Sequence, residues 1–396
     1  MLTETAPVVA ELTEILREQA AEADVRARLP EKSLAALRGS GLMGLLVPEE
    51  YGGLGGGLDD LVAIAMRLAE GCLSTAMVWA MHCQQVDAVV RHGHPRLRDE
   101  LLSRIAAGEV YLASVTTEPR KGGHLLSASS PVQSAGTDLV FERDAPVVTG
   151  AMAADGFLIT MRAAEDAAAH EVTLVYADRA QLQIDVVGDW NPTGMRATDS
   201  RGLRLAGRVP EHSVVGGPGA FRAVALDSMI PLAHLGWSAC WLGAARGVMR
   251  ELTGALRNRS WTLDLGSDLV RERLARVRVD LELVAGYLGQ VCREVTAVRR
   301  AGTLQESPTA QIHINVLKVA AAELTFQAVD RLVQLAGLSR GYSRDAEIPV
   351  ERVFRDLRSA SLNYANDRLL SAIGSLVPLD RSVRLVGFDG LDGLDG

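Results

Sequence analysis

The chain has 396 residues, 48% of them apolar and 23% charged, with a formal net charge of −8. That length supports two or three packed domains of a globular chain, and the acidic balance excludes nucleic acid as a main partner. No apolar run is long enough to span a bilayer, and the acidic start MLTETAP lacks a signal peptide's basic and apolar regions, so the expected setting is cytoplasmic with no membrane partner.

In chain order, residues 8–39 carry apolar positions at helical spacing, with Pro30 opening a second helix and Gly39 to Gly41 closing it. A glycine-rich loop spans 48–57. It lacks the preceding strand and the acidic residue of a dinucleotide fingerprint. Residues 59–70, 74–92 and 95–107 read as helices, which makes 1–108 an α-helical domain. From Val110 the texture changes. Stretches at 111–117, 139–149, 156–161, 172–177 and 182–187 are rich in β-branched residues and are punctuated by Gly, Pro, Asp and Asn. They predict a small antiparallel, barrel-like β domain over 109–216.

Long helical patterns follow at 220–257, 268–299, 309–336 and 350–377, predicting a C-terminal four-helix bundle within 217–380 and a disordered tail over 381–396. The fold class is therefore mainly α with a central β domain. A cleft between sheet and bundle would suit a flat cofactor. The four cysteines stand far apart with no CxxC, which reads as reduced, buried thiols. His92 and His94 lack the companion ligands of a metal site, so none is expected.

Several ordered motifs carry a resemblance to the acyl-CoA dehydrogenase superfamily. They are GLMGLLVPEEYGG at 41–53, SVTTEP at 114–119, GMRATDS at 194–200 with RVP at 208–210, QLAG at 334–337 with GY at 341–342, and PVER at 349–352 followed by RD at 355–356. The resemblance implies FAD between the β domain and the bundle, at a subunit interface of a homo-oligomer (tetramer or dimer). It places Thr117 at the pyrimidine side of the flavin and Thr149 beside N5. The tryptophan that shields the flavin in the family is Val147 here. The phosphate-contacting turn is RKGGH at 120–124, where the backbone of Gly122 and Gly123 would take over from a serine. Gln334 and Gly337 are implied contacts to a neighbouring subunit's FAD.

Dehydrogenation of an acyl thioester needs a base for the α-proton. The family's usual glutamate position is Tyr364, and its second location is Met229; neither is acidic. Asp367, one turn beyond Tyr364, is a substitute candidate. The superfamily's flavin-dependent monooxygenase branch uses reduced flavin and oxygen and needs no such base. RDLRS at 355–359 and Trp190 ahead of Gly194 fit its pattern, with Asn363 where that branch has a histidine. His82 and His124 are candidate proton donors.

The expectations are a flavin-dependent oxidoreductase acting on a CoA- or carrier-protein-bound thioester, or a two-component monooxygenase acting on a small aromatic or amine. A catalytically silent flavin- or acyl-binding subunit is the third. The implied cofactor is FAD, or reduced FMN or FAD supplied by a partner. The implied partners are a flavin reductase, an electron-transfer flavoprotein or an acyl carrier protein.

Overall fold

A computed structural model describes residues 2–119, 124–258, 263–381 and 383–387. The N-terminal part comprises α1 (Leu2–Arg26), α2 (Glu31–Gly39), α3 (Leu58–Ala69), α4 (Leu73–His92) and α5 (Pro95–Ala106). In α3, Leu58, Leu61, Ile64, Ala65 and Leu68 fall on one buried face at helical spacing. The Asp60 carboxylate accepts from the Gly57 amide at 2.9 Å and fastens its start. Pro95 opens α5, where its missing N–H costs nothing.

The middle part holds β1 (Leu112–Val115), β2 (Val132–Ala135), β3 (Asp138–Val148), β4 (Gly156–Arg162), β5 (Val172–Asp178), β6 (Leu182–Val187), β7 (Arg201–Pro210) and β8 (Val214–Val215). They form two four-stranded sheets, ordered β1-β4-β5-β8 and β2-β3-β7-β6. β1 packs against β3, and β5 against β7. One correction to the antiparallel expectation is needed: β1 runs parallel to β4, pairing Leu112 with Gly156 through Val115 with Ile159. A long excursion separates the two strands, which a parallel pair requires.

The C-terminal part contains α6 (Phe221–Val224), a π turn (Ala225–Met229), α7 (Ile230–Arg257), α8 (Asp268–Arg300), α9 (Pro308–Gly341), α10 (Val350–Arg358) and α11 (Asn366–Leu376). α7 packs against α3, α4, α8 and α9, so one apolar core joins the two helical parts. The single helix expected over 350–377 is two helices, because residues 359–365 turn away and Tyr364 takes φ +53°. Part of the expected tail is also ordered: the Arg384 carbonyl is hydrogen-bonded to His313 Nε2 at 3.0 Å. Among the described residues, no helix is long and apolar enough to cross a membrane. The four cysteines are buried and unpaired.

Candidate functional site

Three local irregularities build a cleft of about 460 Å³ between the β domain and the bundle, a size within the ordinary range for small-molecule sites. The first is the π turn before α7. Pro231 has no N–H to give the Asp227 carbonyl one turn back, and Arg299 Nη2 donates to that oxygen instead. The widened turn directs Met229 and Ile230 into the cleft wall. The second is the end of β3. Gly150 (φ +64°) turns the chain where a Cβ would lie 2.4 Å from the Tyr111 hydroxyl, and Thr149 faces the cleft.

The third is the break between α10 and α11, which supplies Leu362, Asn363, Tyr364 and Arg368. Lys318 of α9, fully buried, holds it. Its ammonium donates to the carbonyls of Ala360 (2.9 Å) and Tyr364 (3.0 Å) and to Asn366 Oδ1 (2.7 Å), and lies over the Trp241 ring. Burial pulls its pKa down to about 7. These bonds satisfy carbonyls that a continuous helix would have paired internally.

Just before the break, α10 is locked to the other two parts of the chain. The Arg355 guanidinium forms a fork with Asp24 (2.9 and 2.7 Å), pairs with Glu351, and donates to the Thr193 carbonyl at 3.0 Å. Asp356 accepts from the Met195 amide at 2.5 Å, and its burial raises its pKa to about 6. Gly194 is the close approach between the segments, since a Cβ there would lie 2.0 Å from the Arg355 carbonyl oxygen. The Arg355 and Asp356 pair is thus a joint that sets where the following residues stand.

Polar groups line much of the wall, Gln84, Ser114, Thr116, Thr117, Thr149 and Asn363 among them. Thr198 Oγ1 donates to the Met195 carbonyl at 2.8 Å and lies 2.8 Å from Ser200 Oγ, which donates to Thr149 Oγ1 at 3.3 Å. Thr149 is the end of this hydroxyl row that borders the cleft. The Thr117 hydroxyl donates to the Val147 carbonyl at 2.9 Å, so its backbone is the part left to meet a ligand. The Thr117 carbonyl accepts from Arg143 at 2.9 Å, and Arg143 pairs with Glu118 in a buried ion pair. Val147 is exposed and lines the opening.

From α7, His234 and Trp237 share the face toward the cleft. His234 Nδ1 lies 3.0 Å from the Ile314 carbonyl, and burial pulls its pKa down to about 4. Nδ1 therefore carries the proton, and Nε2 is an acceptor. Trp237 Nε1 and Arg368 Nη1 are buried in the wall without a hydrogen-bond partner.

Of the residues singled out from sequence, Thr117, Thr149, Asn363, Tyr364 and Met229 meet at this cleft. His82 does not border it. Its Nδ1 accepts from the Leu112 amide at 3.0 Å and its Nε2 lies 3.0 Å from the Met43 carbonyl, so both nitrogens are spent on backbone. Asp367 is exposed in the first turn of α11, where a carboxylate suits the helix dipole. Gln334 lies on the outer face of α9, donating to Asp330 at 2.9 Å. Gly337 breaks that helix with φ +69°. His124 is exposed. Gly122 and Gly123 lie outside the described residues. Sequence reading missed His234, Trp237 and Lys318. The signal available was their polarity within otherwise apolar helical stretches, with His234 and Trp237 three residues apart.

The cleft suits a flat ring system with polar edges: apolar side chains such as Met81, Met229 and Leu362 stand beside the Thr149 hydroxyl, an unpaired indole N–H at Trp237 and an unpaired Nη1 at Arg368. Residues 5–109 match the family model of the acyl-CoA dehydrogenase N-terminal domain, and residues 235–367 that of the acyl-CoA dehydrogenase C-terminal domain. The chain belongs to the acyl-CoA dehydrogenase superfamily. It is 22% identical to the short-chain specific acyl-CoA dehydrogenase of Clostridium acetobutylicum, over 86% of this chain and 87% of that protein. It is 23% identical to a probable FMNH2-dependent monooxygenase, SfnC, of Pseudomonas putida, over 93% of each. Its fold matches the crystal structure of TdsC from Paenibacillus sp. A11-2 with FMN and indole, with a TM-score of 0.85, 20% identity, and coverage of 96% of this chain and 98% of that one. These relatives make it a flavin-dependent oxidoreductase.

Proposed function

We propose that this protein is a two-component flavin-dependent monooxygenase that receives reduced flavin from a partner reductase and oxygenates a small, flat substrate. The observation that carries this reading is the makeup of the wall. The two positions at which the family places its base hold Tyr364 and Met229, and no Asp or Glu lines the cleft among the described residues. Removal of an α-proton calls for a base; oxygenation by reduced flavin does not. The similarity to SfnC, a probable FMNH2-dependent monooxygenase, supports the same choice.

Bound flavin, once reduced, supplies the electrons that activate oxygen. The chain's own residues bind and orient. Thr149 with its hydroxyl and Thr117 with its backbone would hold the flavin ring. Met81, Leu125, Met229 and Leu362 keep the cleft apolar, and Asn363 and Tyr364 present polar groups on the bundle side.

The likeness to an acyl-CoA dehydrogenase gives a second reading, dehydrogenation of a thioester with an electron-transfer flavoprotein or acyl carrier protein as partner. Asp367 is exposed and away from the cleft, so the base would have to be Tyr364 or His234, and burial pulls the His234 pKa down to about 4, which makes it a weak base. Burial raises the pKa of Tyr364 from its ordinary value of 10.0, which works against that role at neutral pH.

The deciding experiment supplies the purified protein with a flavin reductase and isotopically labelled oxygen, using small heteroaromatic substrates. Label in the product is the expected result. Bleaching of oxidised flavin by acyl-CoA without oxygen would favour dehydrogenation instead. Asn363→Ala and Tyr364→Phe should each lower turnover by about tenfold or more. Unchanged turnover in both would remove the α10–α11 break from the site.

A further inference from the structure

His234 and Trp237 place an acceptor and a donor three residues apart on the α7 side of the cleft. Their ring centroids are 5.9 Å apart and tilted by 42°. The Ile314 carbonyl takes the proton on His234 Nδ1, which leaves the Nε2 lone pair free, with no hydrogen-bond partner among the described residues. Trp237 is 9% exposed, and its Nε1–H is buried without a partner. An orphaned buried N–H is costly to stability. Keeping one in a cleft wall, beside a histidine held in its acceptor tautomer, fits a partner that arrives with the substrate. The Tyr364 ring, 6.3 Å from His234, closes the other side.

We propose that His234 Nε2 and Trp237 Nε1–H form a two-point recognition subsite. It selects flat substrates that carry an N–H or O–H donor next to a hydrogen-bond acceptor, as in a lactam-type or hydroxylated heteroaromatic ring. The proposal rests on the reading of this cleft as a substrate site, and it names the substrate class. The donor binds Nε2 and the acceptor binds the indole N–H, so the ring lies across one face of α7. A hydrocarbon ring of the same size leaves both groups unpaired. A ring alkylated at its donor also sets a methyl group against the imidazole. Sites with buried hydrogen-bonding groups reject analogues that lack the matching atoms.

The test measures binding by the flavin-loaded protein of quinolinone, N-methylquinolinone and naphthalene, by calorimetry. Quinolinone should bind about tenfold or more tighter than its N-methyl derivative. His234→Ala should abolish that difference. Trp237→Phe should weaken both quinolinones alike and leave naphthalene unchanged. Nitrogen-15 NMR of the wild-type protein should show His234 protonated at Nδ1 at neutral pH, with the Nε2 resonance moving on addition of quinolinone but not of its N-methyl derivative.

Equal binding of the two quinolinones, or a His234 protonated at Nε2, overturns the subsite, and neither result depends on a variant folding. A flavin titration run beside these measurements separates the two claims. Flavin binding without quinolinone discrimination removes the subsite alone. Discrimination that persists in a protein that does not bind flavin removes the flavin reading and leaves the subsite.

Discussion

His82 and His234 look alike from the sequence, each a buried-helix histidine that follows an apolar run, yet they do different things. His82 is a tie between backbones: the Leu112 amide and the Met43 carbonyl occupy its two nitrogens. His234 spends one nitrogen on Ile314 and turns its ring to the cleft. Burial holds both neutral, with folded pKa values of about 4 against 6.5 when free. Between those values the unfolded chain binds more protons. The stability each provides is therefore complete above pH 6.5 and lost as the pH falls towards 4, about 3 kcal/mol per histidine.

Asp356 runs the other way. Its folded pKa, near 6 against 3.8, means that stability is regained as the pH falls through 6, by about 3 kcal/mol. The net acid sensitivity of these three groups is then that of one histidine. Urea midpoints at about pH 6.5 and 4.5 should differ less for His234→Gln than for the wild type. The same loss in both would show that His234 is not held neutral in the fold.

At the scale of elements, the break between α10 and α11 supplies the polar bundle side of the cleft. Lys318 is its keystone, because three oxygens of the break converge on one ammonium. Lys318→Met keeps the stem's packing and removes the donors. It should lower stability by about 2–4 kcal/mol and speed amide exchange across residues 360–366. Exchange rates there equal to the wild type would mean that the break stands without it.

Two glycines give a paired prediction. At Gly194 a methyl group would collide with Arg355 and Asp356 backbone at 2.0 and 2.7 Å, so Gly194→Ala should cost about 3 kcal/mol or more by forcing α10 off the β domain. At Gly254, inside α7, a methyl group meets nothing within 4 Å, and Gly254→Ala should stabilise by about 0.5–1 kcal/mol. Thermal unfolding of the two variants checks both signs.

For the whole molecule, α8 leaves Leu269, Val279 and Leu283 exposed, and Val377 and Leu385 stand exposed beside the groove that Leu283 and Tyr287 line. Apolar side chains gathered on one face mark an interaction surface. The homo-oligomer implied by the family resemblance gives them an occupant, a second copy of the chain. Sedimentation should report a species larger than one chain, and Leu283→Glu should shift it towards the monomer. A wild-type monomer at micromolar concentration would end that expectation.

The sequence by itself determined the class of fold. Apolar periodicity and ordered motifs from Gly41 to Asp356 set helices, then strands, then helices, because such signals are local and repeat along the chain. It also brought Thr117, Thr149, Asn363 and Tyr364 into one expected site through their motifs. Tertiary structure alone decided what that site offers. Lys318, His234 and Trp237 sit in ordinary helical patterns, and their meaning comes from partners far away in sequence or from having none: Ala360 and Tyr364 carbonyls for one, Ile314 for another, an empty donor for the third. A helix pattern reports which face is buried. It carries no record of which polar group, once buried, is left waiting for a ligand.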